Sequence, residues 1–173
     1  MSDSSQMKQL FLDDSIEQLQ QALLKWQNCL DQLSEEQIWW RYHPLGDSVG
    51  NLALHICGNL RQWTLAGLKG EQDVRDRPSE FSHQSGLDAE QVYQHLTQVI
   101  QACTPIIGEL SEHDLSRHYI IQGFEVSGLQ AVNHTVTHFV GHTHQAILIT
   151  RLQLGDRYRF AWSAEKPSPN LPI

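Results

Sequence analysis

The sequence predicts an all-α four-helix bundle with a short irregular or hairpin insertion before the last helix. Three observations carry this reading. Apolar residues recur at alternating intervals of four and three along three separate stretches. Ser/Thr/Asp-x-x-Glu/Gln capping boxes stand ahead of such stretches. A fourth stretch, residues 127 to 154, is apolar around most of its circumference and ends at a glycine.

The first helix follows from Leu12, Ile16, Leu19, Leu23, Trp26, Leu30 and Leu33, the seam of a long amphipathic rod. Ser34-Glu-Glu-Gln37 is a capping box for a short turn bearing Trp39 and Trp40, interrupted by Pro44, Gly46 and Asp47. Ser48 caps the second rod, which runs to about Lys69 on the stripe Val49, Leu52, Ile56, Leu60 and Trp63. The polar, turn-rich run from Gly70 to Gly86 reads as a long loop. Asp88-Ala-Glu-Gln91 opens the third rod, on Val92, Leu96, Val99, Cys103, Ile106 and Leu110, with Pro105 expected to kink it or end its regular part. Gln122-Gly123, flanked by β-branched and aromatic residues, predicts a tight hairpin. Ser127-Gly-Leu-Gln130 opens the last rod, expected to stop at Gly155 and, being apolar nearly all round, to lie centrally. The bundle is expected to occupy residues 1–160, leaving 161–173 as a proline-rich tail.

Composition narrows the function. Twelve basic against 20 acidic residues give a net charge of −8, which opposes a phosphate-tracking surface, so no nucleic-acid partner is expected. No apolar run reaches membrane-spanning length and the N-terminus lacks a signal-peptide core, so the expectation is a cytoplasmic protein without a membrane partner. Cys29, Cys57 and Cys103 are odd in number and far apart, and read as reduced, mostly buried thiols.

The chemistry concentrates in "HTVTHFVGHTHQ", residues 134–145. Residues four apart on a helix differ by about 40° around the axis, so His138 and His142 present ring nitrogens on one side. One divalent ion can bridge such a pair, and an open site needs a third ligand from elsewhere. His55, in "LALHICGNL" beside the Leu52/Ile56 stripe, can face the bundle interior and is the leading third ligand; His43, His83, His95, His113 and His118 compete with it. His134 extends the row, but its reach to the same ion is strained, since it lies about 12 Å from His142 along the axis. His144 points to nearly the opposite side. Gln145 lies close to the ligand face and could orient a ligand or a coordinated water. The only E-x-x-H element, Glu80 to His83, falls in the loop, which argues against a dinuclear iron bundle. Tryptophans 26, 39, 40 and 63 read first as core. Asn51, Asn59, Arg61, Arg75 and Arg77 are candidate substrate contacts, although structural roles explain them equally well: an ion-paired network from Arg75 to Glu80 that laces the loop, and a cap or bridge between helices for Asn59.

With His55 followed much later by His138-x-x-x-His142-x-x-Gln145, the chain resembles the DinB-like (DinB/YfiT) superfamily of four-helix metalloenzymes. Residues 51–81 and 134–155 are similar to a subfamily of unknown function within it. The resemblance implies a divalent metal, nickel or zinc, held by His55, His138 and His142 with water at open positions, in a bundle that is commonly homodimeric. Relatives include S-transferases and isomerases that use small thiols such as bacillithiol, mycothiol or glutathione. Between His142 and Gln145, where members often carry arginine and glycine, this chain has Thr143 and His144. The expectation is a metal-dependent enzyme acting on a small molecule, a low-molecular-weight-thiol transferase or a hydrolase. The alternative is a non-catalytic dimeric binding or sensor bundle with a structural metal or none.

Overall fold

Four long rods form the body of the molecule, a computed structural model that describes residues 3–161. They are α1 (Asp3–Leu30), α3 (Val49–Leu60) with its π-helical continuation Arg61–Leu68, α5 (Ala89–Gly108) and α7 (Gly128–Leu154). Short helices α2 (Glu35–Trp39), α4 (Arg77–Ser82) and α6 (Glu112–Ser116) lie in the connections. Strands β1 (His118–Ile121) and β2 (Phe124–Ser127) pair antiparallel, with His118 opposite Ser127 and Ile121 opposite Phe124. All but residue 161 of the expected proline-rich tail lies outside the described residues. No described helix is long and apolar enough to cross a membrane.

Each helix start follows from local chemistry. Ser34, Ser48, Asp88 and Ser127 all close reciprocal capping boxes, and Ser111 does the same for α6. The hairpin turn places Gln122 and Gly123 both at positive φ, 54° and 81°, the combination that a two-residue hairpin turn needs to match strand twist. At Gly155, φ of 54° ends α7 where the sequence predicts. Pro105 sits within α5 one turn before its end at Gly108, where its missing N–H removes the helical bond to the Gln101 carbonyl without ending the helix.

Around the bundle the order is α1, α5, α3, α7, with α1 against α5 and α7, and α3 against the same two. Side-chain contacts set the directions. His55 meets His138 while Asn59 meets His134, and Trp39 meets Leu87 while Cys103 meets Leu60. Gln27 meets Tyr93 while Ile16 lies beside Gly108, which sets α1 antiparallel to α5. Thus α1 runs parallel to α7, α3 runs parallel to α5, and α3 runs antiparallel to α7. Two parallel neighbours in succession, α3 then α5, require the chain to return along the bundle between them. That return brings the 70–88 segment back past the middle of α3.

The core is continuous across the rods. Leu12, Leu19, Trp26, Leu30, Leu52, Ile56, Leu60, Leu96, Val99, Ile107, Val132 and Phe139 are essentially inaccessible. Trp26, Trp39 and Trp63 are buried, whereas Trp40 is partly exposed.

Two expectations are corrected. The 70–86 run is not wholly loop: Asp76 caps α4 through the Ser79 amide and Pro78 lies in its first turn, where a missing N–H costs nothing. Nor is α7 central. Ala131, Val132, Phe139, Ala146 and Ile149 are buried, but Leu129, Leu148 and Leu152 are exposed, with Leu152 at 60%. Its apolar circumference serves one packed face and one open one.

Candidate metal centre

Two helices supply the site. On α3, the face that buries Leu52, Ile56 and Asn59 also buries His55, at 6% exposure. On α7, His138 and His142 sit one turn apart and half-buried, their rings 4.4 Å apart between centroids. One ring nitrogen from each of His55, His138 and His142 lies within 4.8 Å of the other two, the one such histidine, cysteine or carboxylate group among the described residues. His55 Nε2 and His138 Nε2 stand 3.1 Å apart. His43, His83, His95, His113, His118 and His144 are all exposed and outside the cluster.

The outer nitrogens of two of these rings are already engaged. His55 Nδ1 lies 2.9 Å from Glu80 Oε2 and 3.1 Å from Arg75 Nη2. The guanidinium nitrogen spends its hydrogens on Glu80 Oε2 and the His55 carbonyl, and a carboxylate can only accept, so Nδ1 carries the proton. The Nε2 lone pair of His55 is then free to face the cluster. His142 Nδ1 donates likewise to Gln145 Oε1 at 2.6 Å, leaving its Nε2 as the acceptor. Metal-binding histidines are held this way, with the distal N–H tied to an oxygen that sets tautomer and ring orientation.

Glu80 is itself clamped. Arg75 donates from Nε to Glu80 Oε1 at 2.7 Å and from Nη2 to Oε2 at 2.9 Å, and its Nη1 donates to Gln62 Oε1 at 2.8 Å. Gln62, in the first turn of the π-helical segment, also meets Asp73 at 2.6 Å and Gln122 at the hairpin tip. Gly58 makes room for the ion pair: a β-carbon there would fall 2.0 Å from Glu80 Oε1 and 3.0 Å from Arg75 Nε. Asn51 completes the anchorage by donating to the Glu80 and His83 carbonyls. The returning segment is therefore fastened to α3 directly behind His55, and Phe81 packs on the His55 ring at 4.8 Å.

Electrostatics keep the cluster ready to donate lone pairs. Burial, reinforced by the neighbouring His142 and His55, lowers the His138 pKa to about 3. Burial also lowers His142 and His134. Burial alone would raise Glu80, but the hydrogen bonds from Arg75 and His55 outweigh it and hold the carboxyl below its usual range. Neutral imidazoles beside an ionised carboxylate are the form in which a metal is bound.

The residues fit a metal. Four tetrahedral ligands at 2.0–2.1 Å from zinc stand about 3.4 Å apart. The shortest separation here, 3.1 Å, already matches that, and the widest, up to 4.8 Å, needs a closure of about 1.4 Å.

Other candidate residues find different places. His134 stands outside the cluster, stacked on Trp63 at 3.7 Å and bonded by Asn59 at 3.4 Å. Thr143, at the departure from the superfamily pattern, accepts the buried Trp26 indole N–H at 3.0 Å, so this position locks α7 to α1. Arg75 is consumed by Glu80, and Arg77 is exposed over the Phe81 ring. Asn51 serves the α3 cap. All three cysteines are free thiols, pushed up by burial to about 11 for Cys29 and about 12 for Cys57 and Cys103, which removes them as nucleophiles near neutral pH. Glu80 is the residue that sequence reasoning passed over. Its signals were the predicted Arg75–Glu80 ion pairing and the lone E-x-x-H element of the loop, neither of which pointed to the histidine beneath it.

Comparison with known proteins places the chain. The family described as "Protein of unknown function (DUF1572)" matches residues 6–163. The chain belongs to this family. Among solved structures, a DinB-like protein from Bacillus cereus superimposes with a TM-score of 0.65 at 17% identity, covering 83% of this chain and 90% of that one. A conserved protein from Enterococcus faecalis gives 0.60 at 18% identity, covering 90% and 99%. The DUF1572 chain therefore has the DinB-like fold. No curated protein matches it.

Proposed function

We propose that this DUF1572 protein is a divalent-metal-dependent enzyme whose ion, nickel or zinc, is held by His55, His138 and His142, and that it transfers a low-molecular-weight thiol to an electrophile or hydrolyses a small substrate. One observation carries the reading: three ring nitrogens converge from two helices while the opposite nitrogens of two rings are tied to Glu80 and Gln145. An isolated polar cluster has no need of such distal restraint, whereas a ligand set does.

Three histidines contribute no negative charge, so a bound ion would keep its full charge and favour ionisation of a thiol or water near neutral pH. The chain's own residues do the rest. Glu80 and Arg75 hold the His55 tautomer, Gln145 holds His142, and Phe81 with the returning segment shields the α3 side from water. Exposure lies on the α7 side, where a cavity of about 310 Å³ adjoins Gln145. Substrate is expected to enter there.

The test is a panel of small thiols with electrophilic acceptors, and of simple esters, on nickel- and zinc-loaded protein. Turnover that disappears with chelator and in His142→Ala is expected. Turnover that survives both contradicts the proposal.

A further inference from the structure

The cavity beside Gln145 has a chemistry of its own. Its walls are apolar, formed by Leu52, Ile149, Leu148 and Leu152, and Leu148 and Leu152 remain 56% and 60% exposed. Tyr42 also lines the cavity and is 59% exposed. That ring lies tightly over the 43–46 turn, since a β-carbon at Gly46 would come within 2.7 Å of it. Asp47 is the single charged group of the lining, which holds no lysine, arginine or histidine. It is half-buried, and among the described residues no hydrogen bond or ion pair engages its carboxylate. It shares the cavity lining with Gln145, whose carbonyl is bonded to His142. Gln145 uses its carbonyl on His142, so its amide N–H groups are left for another acceptor.

A carboxylate on the cavity wall without a protein partner is free to pair with a cation or a strong donor. An exposed aromatic face favours the same cation, and the aliphatic wall favours a hydrocarbon attached to it. We propose that this cavity is the substrate subsite and that it selects an apolar small molecule carrying a protonated amine, with the ammonium between Asp47 and Tyr42 and the hydrocarbon against Leu148, Ile149 and Leu152. The inference deepens the metal-enzyme reading and rests on it for the role of the bound amine in turnover; binding itself needs no metal. Asp47 recognises the ammonium, and the Gln145 amide is placed to donate to an oxygen of the substrate nearer His142. An anionic substrate of the same shape is disfavoured by Asp47 and by the overall net charge of −8.

The experiment compares n-hexylamine, 1-hexanol and hexanoate, three ligands with one hydrocarbon and different heads. Methyl resonances of Leu148 and Leu152 are followed by NMR in chelator-treated and zinc-loaded protein, with zinc per chain measured on the same samples. The amine is expected to bind at least about tenfold more tightly than the alcohol, with hexanoate weakest. Asp47→Asn should remove the preference for the amine while changing hexanol affinity less than twofold, and its melting curve checks folding. Equal affinities for amine and alcohol, no binding of the amine at millimolar concentration, or a preference that survives Asp47→Asn overturns the inference. Amine preference in a protein that takes up no zinc would sink the metal reading and leave this one standing. Zinc uptake without amine preference would do the reverse.

Discussion

Glu80→Gln isolates what the returning segment does for His55. The Glu80 carboxylate and the Arg75 side chain are 8% and 4% exposed, and two hydrogen bonds at 2.7 and 2.9 Å join them. The substitution keeps the shape, removes the negative charge and leaves a buried guanidinium facing an amide. Breaking one side of such a pair costs about 3–5 kcal/mol, and the retained amide oxygen puts this variant at the lower end, about 3 kcal/mol. For a domain of this size that lowers Tm by roughly 6–12 °C. The variant also weakens the acceptor for the His55 Nδ1–H, and loss of such a distal acceptor typically weakens metal binding about 10–100-fold. Urea melts of chelator-treated protein measure the first effect, and zinc competition with a chromophoric chelator the second. The Arg75→Met, Glu80→Met double variant separates them. Removing both charges should restore most of the stability, since a buried pair is worth little net. Zinc affinity should stay low, because His55 still lacks its acceptor. Wild-type stability and wild-type zinc affinity in Glu80→Gln would refute the reasoning.

Three further outcomes follow from the same structure. Gly58→Ala should destabilise, since its new β-carbon displaces Glu80 Oε1 from 2.0 Å; overpacking of about 1–3 kcal/mol exceeds the helix-propensity gain of up to about 1 kcal/mol, and denaturant melts read the net loss. Thr143→Val leaves the buried Trp26 indole N–H without an acceptor and should cost about 1–3 kcal/mol by the same measurement. Metal-free protein should lose Tm as pH falls from 7.5 to 5. In the unfolded chain His134, His138 and His142 titrate near about 6.5, whereas folding lowers all three, His138 to about 3, so the unfolded state binds more protons across that interval and stability declines with them. A flat Tm across this range would contradict neutral imidazoles at the cluster.

Local rules made much of this molecule legible. Ser34, Ser48, Asp88 and Ser127 each needed only their own four residues to declare a helix start, and Gln122-Gly123 and Gly155 declared turns through backbone conformation. His138 and His142 were legible because helical spacing alone superimposes them. The approach of His55 depended on which face of α3 meets α7, and the stripe Leu52/Ile56 supplied that face. Glu80 was hidden because its segment carries no periodicity; only the return crossover forced by parallel α3 and α5 brings it to His55. The π-helical segment that aims Gln62 at Arg75 and Trp63 at His134 left no pattern distinct from an ordinary helix. Exposure of Leu148 and Leu152 escaped for the opposite reason, since apolar periodicity does not distinguish a packed face from an open cavity wall.

The most direct test of the account is metal content per chain in protein purified without an affinity tag and loaded with zinc or nickel. Wild type should hold close to one ion per chain, and His138→Ala, folded by circular dichroism, should hold almost none. Equal content in the two would contradict the convergence of His55, His138 and His142 on a single ion.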